Sequence, residues 1–386
     1  MDQLFVELQR ETFSLFLANE QLRRSTAAVT RATFTDVTGA LSLAAVPMRE
    51  LCGPGHVAIT LAAGRIVALA FTKDGPNLLW SNPQLSDSEL VRNQPEKLVG
   101  GLGGDRLWFA PELDYHWKGA PDWVTVTNYE VPIAMDPGAY RFNDSTASSI
   151  VLHNSGQLLN RANDTHVGFD VTRTIRMAAS PLTDNDPLRH AIDYVGIEAS
   201  HVLQFDRETK AGRLDLWHLL QMPVGSVLIV PFIERAPSTA KTPLSYALPG
   251  EWTKKPDKLL LKYGGTAQAK IGLSASALTG RTAVLQQLES SYCLIIRDFH
   301  VDQNAKYADH PYGEPREDQA FQAWDGMGFG EMEYHSPMID AQRGPRMLEE
   351  TDRLWAFGGT RTVINAIAER LLHRDLSDAF MLLDAK

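Results

Sequence analysis

Cysteine is scarce in this chain of 386 residues, which contains only Cys52 and Cys293. The two residues lie far apart, in different apolar segments, and neither belongs to a Cys-x-x-Cys pair. Their spacing excludes a zinc ribbon and a dithiol redox motif. We expect two buried free thiols, because an unpaired cysteine usually packs as a small apolar side chain.

Basic clusters and long apolar stretches are also missing. The net charge is −10 and no segment is rich in Lys or Arg, whereas a nucleic-acid surface needs a basic stripe. No stretch reaches the ~18 apolar residues of a membrane-spanning helix. Residues 1–7 lack the basic and apolar regions that begin a signal peptide. We therefore expect no nucleic-acid partner, no membrane partner and a cytoplasmic location.

Common catalytic and cofactor motifs are absent as well. The segment Gly100-Gly-Leu-Gly-Gly104 lacks the Lys-Ser/Thr of a phosphate-binding loop and the glycine spacing of a dinucleotide site. There is no Gly-x-Ser-x-Gly elbow and no His-Glu-x-x-His pair. The acidic residues Asp298, Asp302 and Asp309 are interpreted as solvated loop residues. The sequence thus predicts neither a cofactor nor a metal site.

Short β-rich segments, in contrast, recur along most of the chain, and 44% of the residues are hydrophobic, which is enough for a substantial core. Turns rich in Gly, Pro, Asn and Asp separate these segments, and no regular alternation of strands and helices is visible. This pattern favours a β-sandwich or barrel over a doubly wound parallel sheet. The predicted strands are residues 57–71, 77–80, 123–128, 149–153, 167–177, 194–205, 213–221, 226–231, 269–273, 292–301 and 329–335.

Helical spacing of apolar residues is confined to the two ends of the chain. Residues 2–17 and 361–373 each carry an apolar stripe that predicts an amphipathic helix. We expect the second helix to pack on the outside of the sandwich or at a subunit contact. The predicted organisation is an N-terminal extension (1–50) packed on the sandwich, a β-sandwich (51–360) and a C-terminal helix (361–386).

The segment Phe329-Gly-Glu-Met-Glu-Tyr-His-Ser-Pro337 is the strongest local signal for a site. Side chains of a strand alternate between its faces, so Glu331, Glu333 and His335 share one face. Three ionisable groups in a row cannot line an apolar core cheaply, so this face is either exposed to solvent or part of a polar cleft. Two neighbouring carboxylates raise the pKa of one of them, which suits general acid–base chemistry.

A second polar cluster lies in Gly103–Glu112, where Arg106 and Trp108 share a face of a predicted strand. Arginine is a rigid donor fork for hydroxyls and carboxylates, and tryptophan offers an apolar platform for a sugar ring. The alternative is an arginine stem that simply packs on an aromatic ring. An aromatic loop, residues 115–117, follows.

A third cluster lies in Arg213–Met222, where Asp215, Trp217 and Gln221 share one face. His218 lies on the opposite face, between leucines. A single histidine on an apolar face is more often a core residue than a functional one. The functional interpretation and the core interpretation both stay open for His218, and likewise for His201 on the preceding strand.

In their order along the chain these segments resemble the galactose mutarotase-like (aldose 1-epimerase-like) superfamily, and within it a bacterial branch. The resemblance extends over about residues 50 to 360 and rests on the ordered set rather than on any one motif. The segments are Ala63-Gly-Arg-Ile66 with Asn77-Leu-Leu-Trp80, Gly103 to Glu112, Trp217 to Gln221 with Gly225 and Pro231, Glu331 to Pro337, and Thr351-Asp-Arg-Leu-Trp355.

The resemblance implies a β-supersandwich that holds a sugar and needs no cofactor. In aldose epimerases a strand glutamate acts as base on the anomeric hydroxyl and a histidine acts as acid on the ring oxygen. By position, Glu333 is similar to the base and His218 to the acid, although Leu216-Trp217 stand where the family has Thr-Asn. The implied sugar-binding residues are Arg106, Trp108, Glu112, Trp217, Gln221, Glu331 and His335.

Three functions remain open from the sequence. The first is acid–base chemistry on a free sugar or glycoside, as in a mutarotase or epimerase. The second is a glycoside hydrolase or polysaccharide lyase on the same scaffold, with Glu333 and either Glu112 or Asp325 as the two carboxylates. The third is a carbohydrate-binding protein without catalysis. The sequence predicts a sugar or oligosaccharide partner but not which sugar, and it leaves the oligomeric state open.

Overall fold

A computed structural model describes residues 31–94, 97–98, 100–117, 129–146, 148–233, 252–266, 269–309 and 318–385. The chain divides into two units, residues 1–32 and 33–386, and every feature below lies in the second unit. The helix predicted over residues 2–17 and the strand predicted over residues 123–128 lie outside the described residues.

Nineteen strands and five helices make up the described part of the chain. The strands are β1 (Met48–Cys52), β2 (His56–Thr60), β3 (Ile66–Ala70), β4 (Asp105–Ala110), β5 (Arg141–Phe142), β6 (Ser149–Asn160), β7 (Thr165–Met177), β8 (Asp193–Phe205), β9 (Arg213–Pro223), β10 (Val227–Pro231), β11 (Trp252–Lys254), β12 (Lys258–Lys262), β13 (Ala269–Leu273), β14 (Arg281–Gln287), β15 (Tyr292–Asp298), β16 (Phe321–Gly326), β17 (Phe329–His335), β18 (Ile339–Asp340) and β19 (Met347–Gly359). The helices are α1 (Phe34–Leu43), α2 (Ser88–Asn93), α3 (Glu112–Tyr115), α4 (Arg361–Leu372) and α5 (Ser377–Asp384).

The strands form two antiparallel sheets. The nine-stranded sheet has the order β1-β2-β3-β4-β9-β17-β16-β13, with β18 beside β9. The ten-stranded sheet has the order β11-β12-β10-β14-β15-β19-β8-β7-β6-β5. Strands β4, β9 and β17, which carry the three polar clusters seen in the sequence, are therefore direct neighbours in the middle of one sheet.

Apolar side chains from both sheets meet in one core. Leu107 and Leu220 of the nine-stranded sheet belong to the same buried cluster as Ile197 and Ile295 of the ten-stranded sheet. Each large apolar side chain buried in this way contributes roughly 1.5–3 kcal/mol. We call the faces that meet here the inner faces and the opposite ones the outer faces.

The C-terminal helices cover the outer face of the ten-stranded sheet. Helix α4 begins after Thr360, whose hydroxyl accepts a hydrogen bond from the Val363 amide, and it ends at His373 in a left-handed conformation. Its apolar stripe, which includes Ile364 and Ile367, packs with α5 against Phe357 and other residues of the sheet. The predicted helix and its packing outside the sandwich are confirmed. No helix among the described residues is long and apolar enough to cross a membrane.

Candidate functional site

Strand β17 places Glu331, Glu333 and His335 on the outer face of the nine-stranded sheet. The pairing with β9 sets Glu333 opposite Leu219 and Tyr334 opposite His218. All three ionisable side chains are buried: Glu331 is 5% exposed, and Glu333 and His335 are 1% exposed. The alternative of a solvent-exposed face is therefore wrong, and each group needs partners in the protein.

Glu333 is held on one side only. Its Oε2 accepts a hydrogen bond of 2.7 Å from the indole Nε1 of Trp217 and lies 3.4 Å from Nζ of Lys270 on β13. The same Nζ lies 3.2 Å from Oε2 of Glu112 and 4.4 Å from the centre of the Trp217 ring. Glu333 Oε1 has no hydrogen-bond partner among the described residues. One carboxylate oxygen is thus fixed and the other is free to accept.

The electrostatics of this group suit a proton acceptor. Burial raises the pKa of Glu333 to about 7, against the opposing charge of Lys270. Burial also raises the pKa of Glu112, again opposed by Lys270. Burial lowers the pKa of Lys270, but Glu112 and Glu333 outweigh this and hold it above its usual range, so the ammonium stays charged. Near neutral pH, Glu333 therefore exists in both protonation states.

Arg106 and Trp108 lie beside these carboxylates. Arg106 Nη2 is 2.7 Å from Oε1 of Glu331, and its guanidinium lies 3.7 Å from the centre of the Trp108 ring. This is an ion pair combined with a cation–π contact. The Trp108 indole donates to Oδ2 of Asp136 at 3.1 Å. Arg106 is thus positioned by its contacts inside the site, and its Nε is unbonded among the described residues.

His335 forms a second polar pair on this face. Its Nδ1 lies 3.1 Å from Oδ1 of Asp215, and Oδ2 of the same carboxylate accepts from the Ala308 amide at 2.8 Å. The imidazole stacks on Trp217, with ring centres 5.7 Å apart. Burial lowers the pKa of His335, but Asp215 outweighs this and raises it above its usual value. Within the described residues its Nε2 has no hydrogen-bond partner, so this nitrogen is available to a ligand.

The segments around α3 close the aromatic part of the site. The His116 ring lies 5.2 Å from Trp108 and 5.7 Å from Trp217, and it stacks on Tyr129 at 5.4 Å. Burial lowers the pKa of His116 to about 3, so this imidazole is neutral. Tyr115, in contrast, belongs to the core, and its hydroxyl donates to the Arg213 carbonyl oxygen.

The structure brings together all but one of the site residues predicted from the sequence. The residues on the outer face, around Trp217, are Arg106, Trp108, Glu112, Trp217, Gln221, Glu331, Glu333 and His335. Gln221 is fully buried there, and its Nε2 donates to the Gly100 carbonyl oxygen at 3.0 Å.

His218 is the exception. It points to the inner face, where its ring stacks on Tyr334 at 4.1 Å and its Nε2 lies 2.5 Å from Oε1 of Glu350 on β19. The expected pairing of Glu333 with His218 is therefore not formed. The physical reason is the strand register: Glu333 lies opposite Leu219, so His218 projects through the other side of the sheet.

Three members of the site were missed in the sequence. Lys270 had a weak signal, since it is a single charge inside the predicted strand 269–273. His116 was seen only as part of an aromatic loop, and Tyr129 gave no signal. Loop residues such as these are brought to the sheet by tertiary packing, which periodicity does not report.

The fold class predicted from the sequence is confirmed in its architecture: the chain is a mainly β protein of two antiparallel sheets with C-terminal helices. The model of the family described as "Family of unknown function (DUF6786)" matches residues 55–381. The chain belongs to this family. No curated protein matches the sequence.

Solved structures give a distant likeness. A candidate aldose 1-epimerase from Escherichia coli K12 has a TM-score of 0.47 at 10% sequence identity, over 81% of this chain and 99% of its own. A galactose mutarotase-like protein from Lactobacillus casei ATCC 334 has a TM-score of 0.46 at 11% identity, over 80% and 100%. A galactose 1-epimerase from Lactobacillus acidophilus NCFM has a TM-score of 0.39 at 10% identity, over 81% and 94%.

Proposed function

We propose that this protein catalyses acid–base chemistry on a free sugar, opening and reclosing the ring at the anomeric carbon, with Glu333 as the base. One observation carries the proposal. Glu333 has one oxygen fixed by Trp217 and Lys270, and its other oxygen is buried without a donor among the described residues. A buried acceptor without a donor costs about 1–3 kcal/mol, and a sugar hydroxyl supplies the missing donor.

His335 replaces His218 as the acid in this proposal. It lies two residues from Glu333 on the same face of β17, so the two Cβ atoms are about 7 Å apart, roughly the width of a sugar ring. In the forward step Glu333 takes the proton of the anomeric hydroxyl, the bond from the anomeric carbon to the ring oxygen breaks, and His335 protonates that oxygen. Rotation of the resulting aldehyde and reversal of the proton transfers give the other anomer.

The surrounding side chains support recognition of a neutral polar ring. Trp108 and Trp217 meet edge to face at 5.6 Å and border the carboxylate, as in sites where apolar sugar faces pack on aromatic rings. Arg106 and Glu331 provide a charged donor and acceptor beside them. The sequence resemblance to aldose epimerases points to the same substrate class.

The direct test is proton NMR of anomer exchange, starting from single anomers of a panel of free pentoses and hexoses. We expect the wild-type protein to accelerate exchange of at least one sugar above the rate in buffer. Buffer-level rates for every sugar would contradict the proposal. Saturable sugar binding without acceleration would instead support the carbohydrate-binding function that the sequence left open.

The rate of anomer exchange should depend on pH with an acid limb near 7. The base must be ionised, and the pKa of Glu333 is raised to about 7 by burial. Below that pKa the rate should fall about tenfold per pH unit, and above it the rate should level off until His335 loses its proton. The pH profile of kcat/KM for the best sugar measures this limb. A rate that is constant from acid to neutral pH would exclude Glu333 as the base.

Replacing Lys270 with Met should move this acid limb to higher pH. Lys270 lowers the pKa of Glu333, so its removal raises that pKa and reduces the ionised fraction at pH 7. The matched control is Lys258→Met, because Lys258 is equally buried but donates to the Asp375 carbonyl oxygen far from the site. Equal pH profiles for the two variants would mean that Lys270 does not tune the base.

A second candidate, a retaining or inverting glycoside hydrolase, has one specific observation in its favour. Glu112 and Glu333 both contact Nζ of Lys270, so their nearest oxygens lie within about 7 Å of each other, as the paired carboxylates of glycosidases do. Burial raises the pKa of Glu112, which suits a general acid. New reducing ends released from an oligosaccharide panel, without anomer exchange of free sugars, would favour this function.

A further inference from the structure

A cluster of three potential metal ligands lies between the two sheets, on the opposite side of the nine-stranded sheet from Glu333. His201 comes from β8, His218 from β9 and Glu350 from β19. Each offers one ligand atom, and these atoms all lie within 4.8 Å of one another. The two imidazole rings meet edge to face, with their centres 4.7 Å apart. The cluster therefore joins the two sheets through side chains alone.

The two histidines each have an unsatisfied nitrogen. His201 is 1% exposed and His218 is fully buried, yet Nδ1 of each has no hydrogen-bond partner among the described residues. Buried polar atoms are nearly always hydrogen-bonded, so two unbonded nitrogens on neighbouring imidazole rings call for an explanation. The other nitrogen of His201 lies 3.0 Å from Oδ2 of Asp352. A carboxylate behind an imidazole in this way typically orients it as a metal ligand.

The charges around the cluster leave room for a cation. Arg173 pairs with Asp105, and Arg297 pairs with Asp105 and Asp352, so two buried arginines balance two buried aspartates. Glu350 is the remaining acidic group, and in the described part of the chain its ion-pair partner is His218. An ionised Glu350 therefore has no arginine or lysine within ion-pair distance among the described residues, and a bound cation would supply a positive charge in contact with it.

Two of the three cluster residues border a cleft at the protein surface, whereas His218 does not line it. A cleft of about 430 Å³ has His201 and Glu350 in its wall, together with Ser200, His300, Pro337 and Thr351. An ion can reach the cluster through this cleft, and a ligand placed in the cleft can reach the ion. Access of this kind is a requirement for any metal site that exchanges with solution.

We propose that His201, His218 and Glu350 bind a divalent transition-metal ion, with Zn²⁺ as the best match. Two imidazoles and one carboxylate are a ligand set that Zn²⁺ takes at about 2.0–2.2 Å, whereas Ca²⁺ and Mg²⁺ require oxygen ligands. The three ligand atoms already lie within 4.8 Å of one another, so binding requires only side-chain adjustments at the cluster. Three protein ligands leave the fourth position open toward the cleft.

This site is independent of the proposed sugar chemistry, because it lies on the other face of the sheet. Its test is calorimetric titration of untagged, EDTA-treated protein with ZnCl₂. We expect the wild type to bind one Zn²⁺ per chain, and Glu350→Gln to bind it at least roughly 10-fold more weakly, because loss of even a residue that only orients a ligand costs roughly 10–100-fold. Glu349→Gln is the matched control, since Glu349 is exposed, lines the same cleft and is not part of the cluster. Its affinity should equal that of the wild type.

Two results would overturn the proposal. One is the absence of saturable Zn²⁺ binding by the folded wild type, and the other is equal affinity in wild type and Glu350→Gln. X-ray absorption of the wild-type Zn²⁺ complex decides the matter even if the variant does not fold. Zinc coordination by two imidazoles and a carboxylate oxygen supports the site, and zinc coordination by oxygen atoms alone contradicts it.

Discussion

Glu333→Gln should slow anomer exchange of the best sugar by about 10²–10⁴-fold, the usual loss when a general base is removed. Glutamine keeps the size and shape of the side chain, so the contact with Trp217 can persist through its amide oxygen. The amide nitrogen then takes the place of the free acceptor Oε1, because Trp217 and Lys270 both contact the position of Oε2. The variant can therefore still occupy the site but cannot accept a proton from the anomeric hydroxyl.

The effect should appear in kcat more than in KM, because the lost interaction belongs to proton transfer. Single-turnover NMR rates of purified wild type and variant measure it. Glu198→Gln is a suitable control, since Glu198 pairs with Arg353 on the ten-stranded sheet, away from the site. Circular dichroism should show the same fold for all three proteins. A Glu333→Gln variant with at least half the wild-type rate would remove Glu333 from the mechanism.

His335→Gln, measured in the same assay of anomer exchange, tests whether His335 rather than His218 is the acid. The resemblance to aldose epimerases implied His218 as the acid, while the residue pattern alone left a core role equally open. The structure puts an imidazole paired with Asp215 at His335 instead, two residues from Glu333 and stacked on Trp217, the tryptophan that donates to Glu333. His218 would share a face with Glu333 only if β9 were shifted by one residue against β17. Alternation predicts which residues share a face within one strand, but not which face of the neighbouring strand they join.

Alternation was reliable within single strands. It placed Glu331, Glu333 and His335 on one face, and Asp215, Trp217 and Gln221 on one face, and the structure agrees on both sets. Alternation did not predict that these polar side chains are buried, because segments 111–117 and 129–138 bury them by packing over the sheet. The same limit explains why Lys270 was overlooked as the ion that joins Glu112 to Glu333: its importance follows from a position three strands away from β9.

The strands missed in the sequence have a similar physical cause. Strands β12, β14 and β16 are short and lie in the interior of the sheets, so their apolar residues are continuous or mixed rather than alternating. Strand β19 runs for 13 residues and was not predicted, although its segment Thr351-Asp-Arg-Leu-Trp355 contributed to the family resemblance. Its first half carries the charged residues Glu350 and Asp352, which in a sequence are more typical of a loop than of a buried strand. Their partners lie on β8, β9 and β15, and the sequence does not show these pairings.

The buried charges around Asp352 lead to the largest change in the free energy of unfolding that we expect from a single substitution. Arg297 is 1% exposed, and its guanidinium lies 2.5 Å from Asp352 and 3.0 Å from Asp105. Arg297→Met replaces the guanidinium with an apolar group of similar length, and it leaves two buried aspartates with a single arginine, Arg173. Removing one partner of a buried ion-pair network typically costs about 3–5 kcal/mol, because the remaining charge is buried without compensation.

Urea denaturation followed by circular dichroism should therefore show Arg297→Met to be less stable than wild type by about 3–5 kcal/mol. Arg353→Met is the matched control: Arg353 lies on the neighbouring strand, pairs with Glu198 and Asp298, and has a side chain that is 42% exposed. Surface pairs of this kind contribute about 0–1 kcal/mol, so the control should unfold close to the wild type. Similar losses in both variants would mean that the network between the sheets is not charge-balanced as described. If Arg297→Met alone is destabilised, adding Asp352→Asn should restore part of the loss, because Asp352 is the aspartate left without an arginine, whereas Asp105 keeps Arg173.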